Sequence, residues 1–310
     1  MKKQIIISWA TAATVLFVTT SSTFAGEIVA WGSNTYGQCN TPAGDDFIAV
    51  SAGEKHSLAL RRDGSIIGWG YDDNGRTVQP AGANNFIEIV AGHHHSIAMR
   101  ADGSLEGLGS REPGSRTDVP EGSFIAIGAG YYHSVGVRAD GSLAAWGNND
   151  EGQCNVLSGN DFIDVAAGKY HNVALRSDGT LAAWGANDNG QCNVPSGNNF
   201  VAITAGRYHN VGLTTGGSLE AWGLNDYGQL NCPSGNDFVA VEAGYNFTLA
   251  LKSDGTILGW GRHEYGSIPA GNEFVAISGG YEHCLALTPE PTTLSMLVLG
   301  SVALIRRRKN

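Results

Sequence analysis

The sequence predicts an all-β protein: a seven-bladed β-propeller of mostly three-stranded blades, closed by its N-terminal strand. Three observations carry that prediction. Tryptophan returns at Trp31, Trp69, Trp146, Trp184, Trp222 and Trp260, in steps of 38 residues broken once by a step of 77. Self-similarity at such a period marks a repeat array, and seven units tile residues 27–287, with Leu108-Gly109 standing where one Trp-Gly is missing. The strands are apolar on both faces, so each sheet needs packed neighbours on both sides, and radial stacking about an axis supplies them. Finally, the array begins with an isolated Trp-Gly strand, Glu27 to Gly32, and ends with two strands, Phe274 to Leu287, that lack a third. Each fragment completes the other, so the N-terminal strand is expected to pair with Glu282 to Leu287. An open solenoid would need polar caps, and none is visible.

Each element follows from its residues. The first strand of a unit is an apolar run ending in Ala-Gly, as in Phe162 to Gly168. Two variable residues follow, then the second strand, as in His171 to Arg176. Asp-Gly at Asp63-Gly64, Asp102-Gly103, Asp140-Gly141, Asp178-Gly179 and Asp254-Gly255 predicts hairpins with type I′ turns, Gly216-Gly217 replacing the pair once. The third strand ends in Trp-Gly, as in Thr180 to Gly185. The Asn/Asp-rich loops beyond it, such as Asn187-Asp188-Asn189, read as turn chemistry; their spacing does not match an EF-hand calcium loop.

The pattern A-G-x-x-H-[SN]-x-A-L-[RK]-x-D-G-[ST]-L-x-A-W-G-x-N-D-x-G-Q resembles the regulator-of-chromosome-condensation (RCC1) repeat. The short unit is similar to that of the bacterial members, seven-bladed β-lactamase inhibitor proteins among them. The resemblance implies a seven-bladed propeller. The third blade departs from it, with neither the tryptophan nor the N-D-x-G-Q loop between Leu108 and Phe124.

The ends differ from the array. Lys2 and Lys3 precede an apolar stretch, Ile5 to Val18, and then Thr23-Phe24-Ala25, which reads as a signal peptide over residues 1–25. The propeller is expected over residues 26–288. Residues 289–310 read Pro289-Glu290-Pro291, an apolar segment over 294–305 and a basic end over 306–309. This tail resembles the PEP-CTERM sorting signal of Gram-negative bacteria. The resemblance implies processing by an exosortase-type peptidase, with only transient membrane contact, and a cell-surface or extracellular-matrix location. Twelve apolar residues make only about 18 Å of helix, short of a hydrocarbon core of about 30 Å.

The chain carries 29 acidic against 19 basic residues, and six of the basic ones lie in the two ends. The array is therefore strongly acidic, which argues against nucleic acid as a partner. The five cysteines do not form a disulfide framework: Cys39, Cys154 and Cys192 hold equivalent loop positions, Cys232 is shifted by one, and Cys284 lies in a strand.

The histidine ring, His56, His95, His133, His171, His209 and His283, is tempting as a metal site. Neighbouring members sit a blade apart, no Asp or Glu accompanies them at a fixed offset, and Phe247 replaces one. Each imidazole is expected instead to bond turn backbone in its own blade, and no metal or other cofactor is expected. His93-His94-His95 is a weaker local exception, readable as a loose transition-metal patch. No G-x-S-x-G, H-E-x-x-H or phosphate-binding loop occurs, so no catalytic residue is assigned.

The functional signal lies in the two variable positions between Ala-Gly and His. They place Tyr131, Tyr132, Lys169, Tyr170, Arg207, Tyr208, Tyr245 and Tyr281 on one face near the axis. An aromatic rim of this kind is suited to recognition, because tyrosine combines contact area with a polar handle. The expected function is an exported, non-catalytic binding propeller that grips a protein or glycan partner by this rim. The alternative is a hydrolase or lyase acting on polysaccharide at the channel mouth.

Overall fold

In the computed structural model the described residues are 26–72, 75–77, 84–109, 117–262 and 267–289. The signal-peptide reading, the tail reading beyond Pro289 and much of the irregular loop after Leu108 lie outside them. Among the described residues, no helix is long and apolar enough to cross a membrane.

The described residues form 21 strands. After β1 (Ile28–Gly32) come β2 (Phe47–Ala52), β3 (His56–Arg61), β4 (Ile66–Gly70), β5 (Phe86–Ala91), β6 (Ser96–Arg100), β7 (Leu105–Leu108), β8 (Phe124–Ala129), β9 (His133–Arg138) and β10 (Leu143–Gly147). The second half adds β11 (Phe162–Ala167), β12 (His171–Arg176), β13 (Leu181–Gly185), β14 (Phe200–Ala205), β15 (His209–Thr214), β16 (Leu219–Gly223), β17 (Phe238–Ala243), β18 (Phe247–Lys252), β19 (Ile257–Gly261), β20 (Ala276–Gly279) and β21 (His283–Leu287). They make seven three-stranded antiparallel sheets. Six are consecutive in sequence; the seventh, β1-β21-β20, joins the two ends of the array.

The closure pairs the expected strands, with Ile28 opposite Leu287 and Gly32 opposite His283. The architecture is thus the closed seven-bladed propeller that the two incomplete units imply. The third-blade anomaly is local: β7 still pairs with β6, and Leu108 stands opposite Ser96 as Trp69 stands opposite Ser57.

The core lies between blades. Val135 and Val137 of one blade pack with Phe162, Val165 and Ala174 of the next. The closing blade does the same, with Ile28, Leu285 and Leu287 against Phe47, Val50 and Ala59. Middle strands are buried almost throughout, as expected for sheets covered on both faces.

The Asp-Gly turns correct one detail. Gly64 N donates to Arg61 O, and Arg61 N to Ser65 O, so Arg62 and Asp63 are the central pair. Gly64 follows them at φ +79°. This is a turn followed by a left-handed glycine bulge, not a type I′ pair, and only the glycine needs positive φ. The aspartate instead braces the turn through its side chain, where Oδ1 accepts from Ser65 N at 2.9 Å.

The histidine ring is structural, but its bonds run between blades rather than within them. His56 Nε2 meets Ser96 Oγ at 2.8 Å, His133 and His171 Nε2 meet Asn172 and Asn210 Oδ1 at 2.9 and 2.8 Å, and His209 meets Thr248 Oγ1 at 3.1 Å. His283 meets Ser57 Oγ at 2.9 Å and carries the ring across the closure. The same residues point their other polar atoms outward. Asn172 Nδ2 and Trp184 Nε1 both donate to Gln153 O of the preceding blade's loop, at 2.8 and 3.0 Å. This shared acceptor explains why Trp, Gln and the residue after His recur together. The Ala-Gly motif belongs to the same device: a Cβ on Gly168 would lie 2.2 Å from His171 Cε1 and 2.7 Å from Gly206 O.

The junction that lacks histidine also lacks its partner. Phe247 and Cys284 occupy the two roles and share one apolar cluster. Phe247→His alone should therefore bury an imidazole without a partner and destabilise by about 1–3 kcal/mol. Adding Cys284→Asn should recover most of that loss. Urea unfolding of the two single variants and the double would measure the coupling, and additive effects would rule out the pairing.

Candidate functional site

The two variable residues of each blade sit where the inner strand turns into the middle strand. Here the backbone is tied around the ring. Lys169 N donates to Arg207 O, Arg207 N to Tyr245 O, Tyr245 N to Gly280 O and Tyr281 N to Gly53 O, at 3.1–3.2 Å. These bonds aim the first-position side chains at the axis. Glu54, His93, Tyr131, Arg207, Tyr245 and Tyr281 line a funnel with about 420 Å³ of space, including open solvent. The second-position residues stand one step further out.

All eight sequence-predicted site residues lie on this face, and all are half-buried. They divide into two sets. Tyr131, Tyr245 and Tyr281 converge in the funnel: Tyr131 stacks on Tyr245 at 5.8 Å between centroids, and Tyr245 meets Tyr281 at 3.8 Å with the rings tilted by 39°. Tyr132, Tyr170 and Tyr208 shingle around it, with Tyr132 and Tyr170 stacked at 6.0 Å. The two cations knit the sets together. Arg207 lies 4.7 Å from the Tyr208 centroid and 4.5 Å from that of Tyr245. Lys169 lies 4.7 Å from the Tyr170 ring and donates to the Tyr208 hydroxyl at 3.2 Å. The expected rim is thus a packed aromatic funnel rather than a ring of free side chains.

Its electrostatics are uneven. Burial pushes the Tyr131 and Tyr281 hydroxyls well above the usual phenol range, so both stay protonated. The Nε of Arg207 is buried without a hydrogen-bond partner among the described residues. The opposite side holds His93 and His94, from the His93-His94-His95 run that the sequence singled out as a loose metal patch, together with Glu54, which the sequence did not single out. Glu54 and His93 occupy first positions in adjacent blades, and for Glu54 the sequence signal was its departure from the Tyr/Lys/Arg pattern.

Tyr36, Tyr71 and Tyr227 were also missed. They are exposed in the loops after Trp-Gly strands, which leave the blades on the funnel face. Tyr36 and Tyr71 pack together at 5.0 Å, with Lys55 5.2 Å from the Tyr36 ring. Lower in the structure, inner strands carry Asp164 and Glu242, both buried, and Glu88, a half-buried residue whose Oε1 is closed off. Burial raises all three pKa values, to about 8 for Glu88 and Glu242. An acid inside an apolar inner-strand run was their visible signal.

The Asn/Asp loops spend their oxygens internally. Asn149 and Asn187 Oδ1 accept from Cys154 and Cys192 N at 2.8 Å. The thiols of those cysteines lie 3.2 Å from backbone carbonyls, all five cysteines are unpaired, and burial raises Cys154 and Cys192 to about 11. These thiols are protonated at neutral pH and hence poor nucleophiles.

Five stretches, residues 47–76, 124–153, 162–191, 200–229 and 238–267, match the family model described as regulator of chromosome condensation (RCC1) repeat. No curated protein sequence matches the chain significantly. Among solved structures, Prp20p from Saccharomyces cerevisiae superposes with a TM-score of 0.72 at 16% identity, covering 91% of this chain and 96% of that one. Human WBSCR16 gives 0.69 at 16% identity over 86% and 99% of the two chains. The ectodomain of the Arabidopsis thaliana receptor kinase ACR4 gives 0.64 at 22% over 78% and 89%. At these identities the likeness establishes the fold.

Proposed function

We propose that this RCC1-type β-propeller, related to the RCC1 and Prp20 repeat proteins, is an exported binding module that grips a protein partner with the aromatic funnel. The single observation that carries this reading is the buried, unpartnered Nε of Arg207 on a half-buried tyrosine cluster. Stacked rings supply a rigid apolar seat, and tyrosine and arginine are the side chains that most often dominate binding energy. A segment bearing a carboxylate or an exposed carbonyl would complete the arginine. The signal-like N-terminus supports export. Prp20p, which shares the fold, has binding properties to Gsp1p and histones; this supports protein binding by such a propeller while leaving the partner of this chain open.

The reading is non-catalytic. Proton transfer at neutral pH needs groups poised near pH 7, whereas burial pushes the Tyr131 and Tyr281 hydroxyls away from that range.

The test is a pull-down with residues 26–288 from native surface material, followed by affinity measurement for variants. Tyr245→Ala with Tyr281→Ala should weaken binding by about 2 kcal/mol or more, roughly thirtyfold. Tyr36→Ala, at an exposed outer loop, should change it little. If the funnel pair instead lowers the melting temperature sharply and leaves affinity intact, the rings are structural and the proposal fails.

A further inference from the structure

We propose that Glu54, His93 and His94 form a binding site for a divalent transition cation of the zinc class at the wall of the funnel. The proposal does not depend on the protein partner. One donor atom from each residue lies within 4.8 Å of the others. Glu54 Oε2 is 3.3 Å from His93 Nδ1 and 3.4 Å from His94 Nδ1. Metal–donor bonds of about 2.0–2.1 Å at tetrahedral angles put neighbouring donors roughly 3.3 Å apart. The separations therefore already match two edges of a zinc-like tetrahedron. Two imidazoles and one carboxylate suit zinc or its neighbours rather than calcium or magnesium, which favour all-oxygen sites.

The surroundings hold these donors in place. The carboxylate is divided: Oε1 pairs with Lys55 Nζ at 3.0 Å, and Oε2 faces the histidines. Such an outer partner orients a ligating carboxylate. The His93 ring stacks on Tyr131 at 4.0 Å, and its backbone N–H donates to Gly130 O, which fixes the ring against the axis. His94 turns edge-on to His93, at an interplanar angle of 82°. Two of the ring nitrogens, His93 Nδ1 and His94 Nε2, approach to 2.8 Å, so in the metal-free chain they share a single proton. A cation held by Glu54 Oε2, His93 Nδ1 and His94 Nδ1 would take the place of that proton at His93 Nδ1 and break the contact to His94 Nε2. Three protein donors leave a coordination position for water or for an oxygen supplied from outside.

The sequence alone could not assemble this set, because Glu54 belongs to the neighbouring blade. Its pairing with His93 comes from blade packing, not from a motif.

The experiment uses the full chain, stripped with a chelator and titrated with Zn²⁺ alone. One equivalent should bind and raise the melting temperature. Co²⁺ should give the d–d spectrum of a low-coordinate nitrogen/oxygen site without a thiolate charge-transfer band. Glu54→Gln and His94→Ala should each weaken binding at least tenfold. Because His94 is about one-third exposed, His94→Ala tests the site without threatening the core. No saturable binding, unchanged affinity in both variants, or a thiolate band placing the ion at the cysteine loops would each overturn the proposal.

Discussion

Deleting residues 26–33 should unfold the protein or lower its melting temperature by at least about 10 °C. The segment supplies a whole strand to the last blade and seats Ile28 and Trp31 in two separate inter-blade clusters. Losing a buried Ile and a buried Trp costs about 2–5 and 3–5 kcal/mol. Together that is comparable to the entire stability of a typical domain, about 5–15 kcal/mol. For a chain of this size each kcal/mol shifts the melt by about 2–4 °C. The deletion also bares β21 as a flat apolar edge, a template for aggregation. Appending the same segment after residue 288 should restore folding, since the two termini already meet, with Thr288 N bonded to Glu27 O. An unchanged melt in the deletion would refute closure as the stabilising feature.

The second large effect is on pH. For five of the six buried ring histidines, burial lowers the pKa, to about 3 for His56 and His209 and about 4 for His133, His171 and His283. Their Nδ1 atoms have no partner among the described residues, so a second proton would be buried unbonded. Below the usual value of 6.5 the unfolded chain takes up protons that the folded chain refuses, and stability falls as pH drops towards 4. The three inner-strand acids act in the opposite sense. Glu88 and Glu242 stay protonated in the fold up to about pH 8, and Asp164 is raised as well. The unfolded chain loses these protons near 4.5, so these groups make stability fall as pH rises through that window.

Each proton difference is worth about 1.4 kcal/mol per pH unit at most. Between about pH 4.5 and 6.5 the five histidines outweigh the three acids; above 6.5 the acids act alone. Denaturant unfolding should therefore show a stability maximum near pH 6–6.5, with a decline on both sides. Glu242→Gln should flatten the alkaline limb, and His133→Leu with Asn172→Leu should flatten the acid limb. A curve that rises steadily from pH 5 to 8 would contradict the assignment.

The fold was legible because a repeat states the same pattern seven times. Trp spacing, Asp-Gly turns and two complementary half-units were enough to specify blade number and closure. The histidines were legible as structural but not in their partners: His171 and Asn210 are 39 residues apart, and a period alone does not say whether a side chain reaches within its blade or across to the next. The turn type was missed because Asp-Gly serves both a type I′ pair and a glycine bulge, and the difference rests on which backbone N–H closes the turn.

The site divides in the same way. The face carrying Tyr131, Tyr170, Tyr208, Tyr245 and Tyr281 could be read from the chain, since every variable pair occupies the same place in its unit. That these rings pack into a funnel, with Arg207 seated on two of them, depends on distances to the axis that a linear pattern does not contain. The sequence by itself determined the blade, its number and its closure, because those follow from local hydrogen bonding and period. Only the tertiary structure decided which side chains meet, above all Glu54 with His93 and His94, because those contacts cross blade boundaries, where the curvature of the ring sets the geometry.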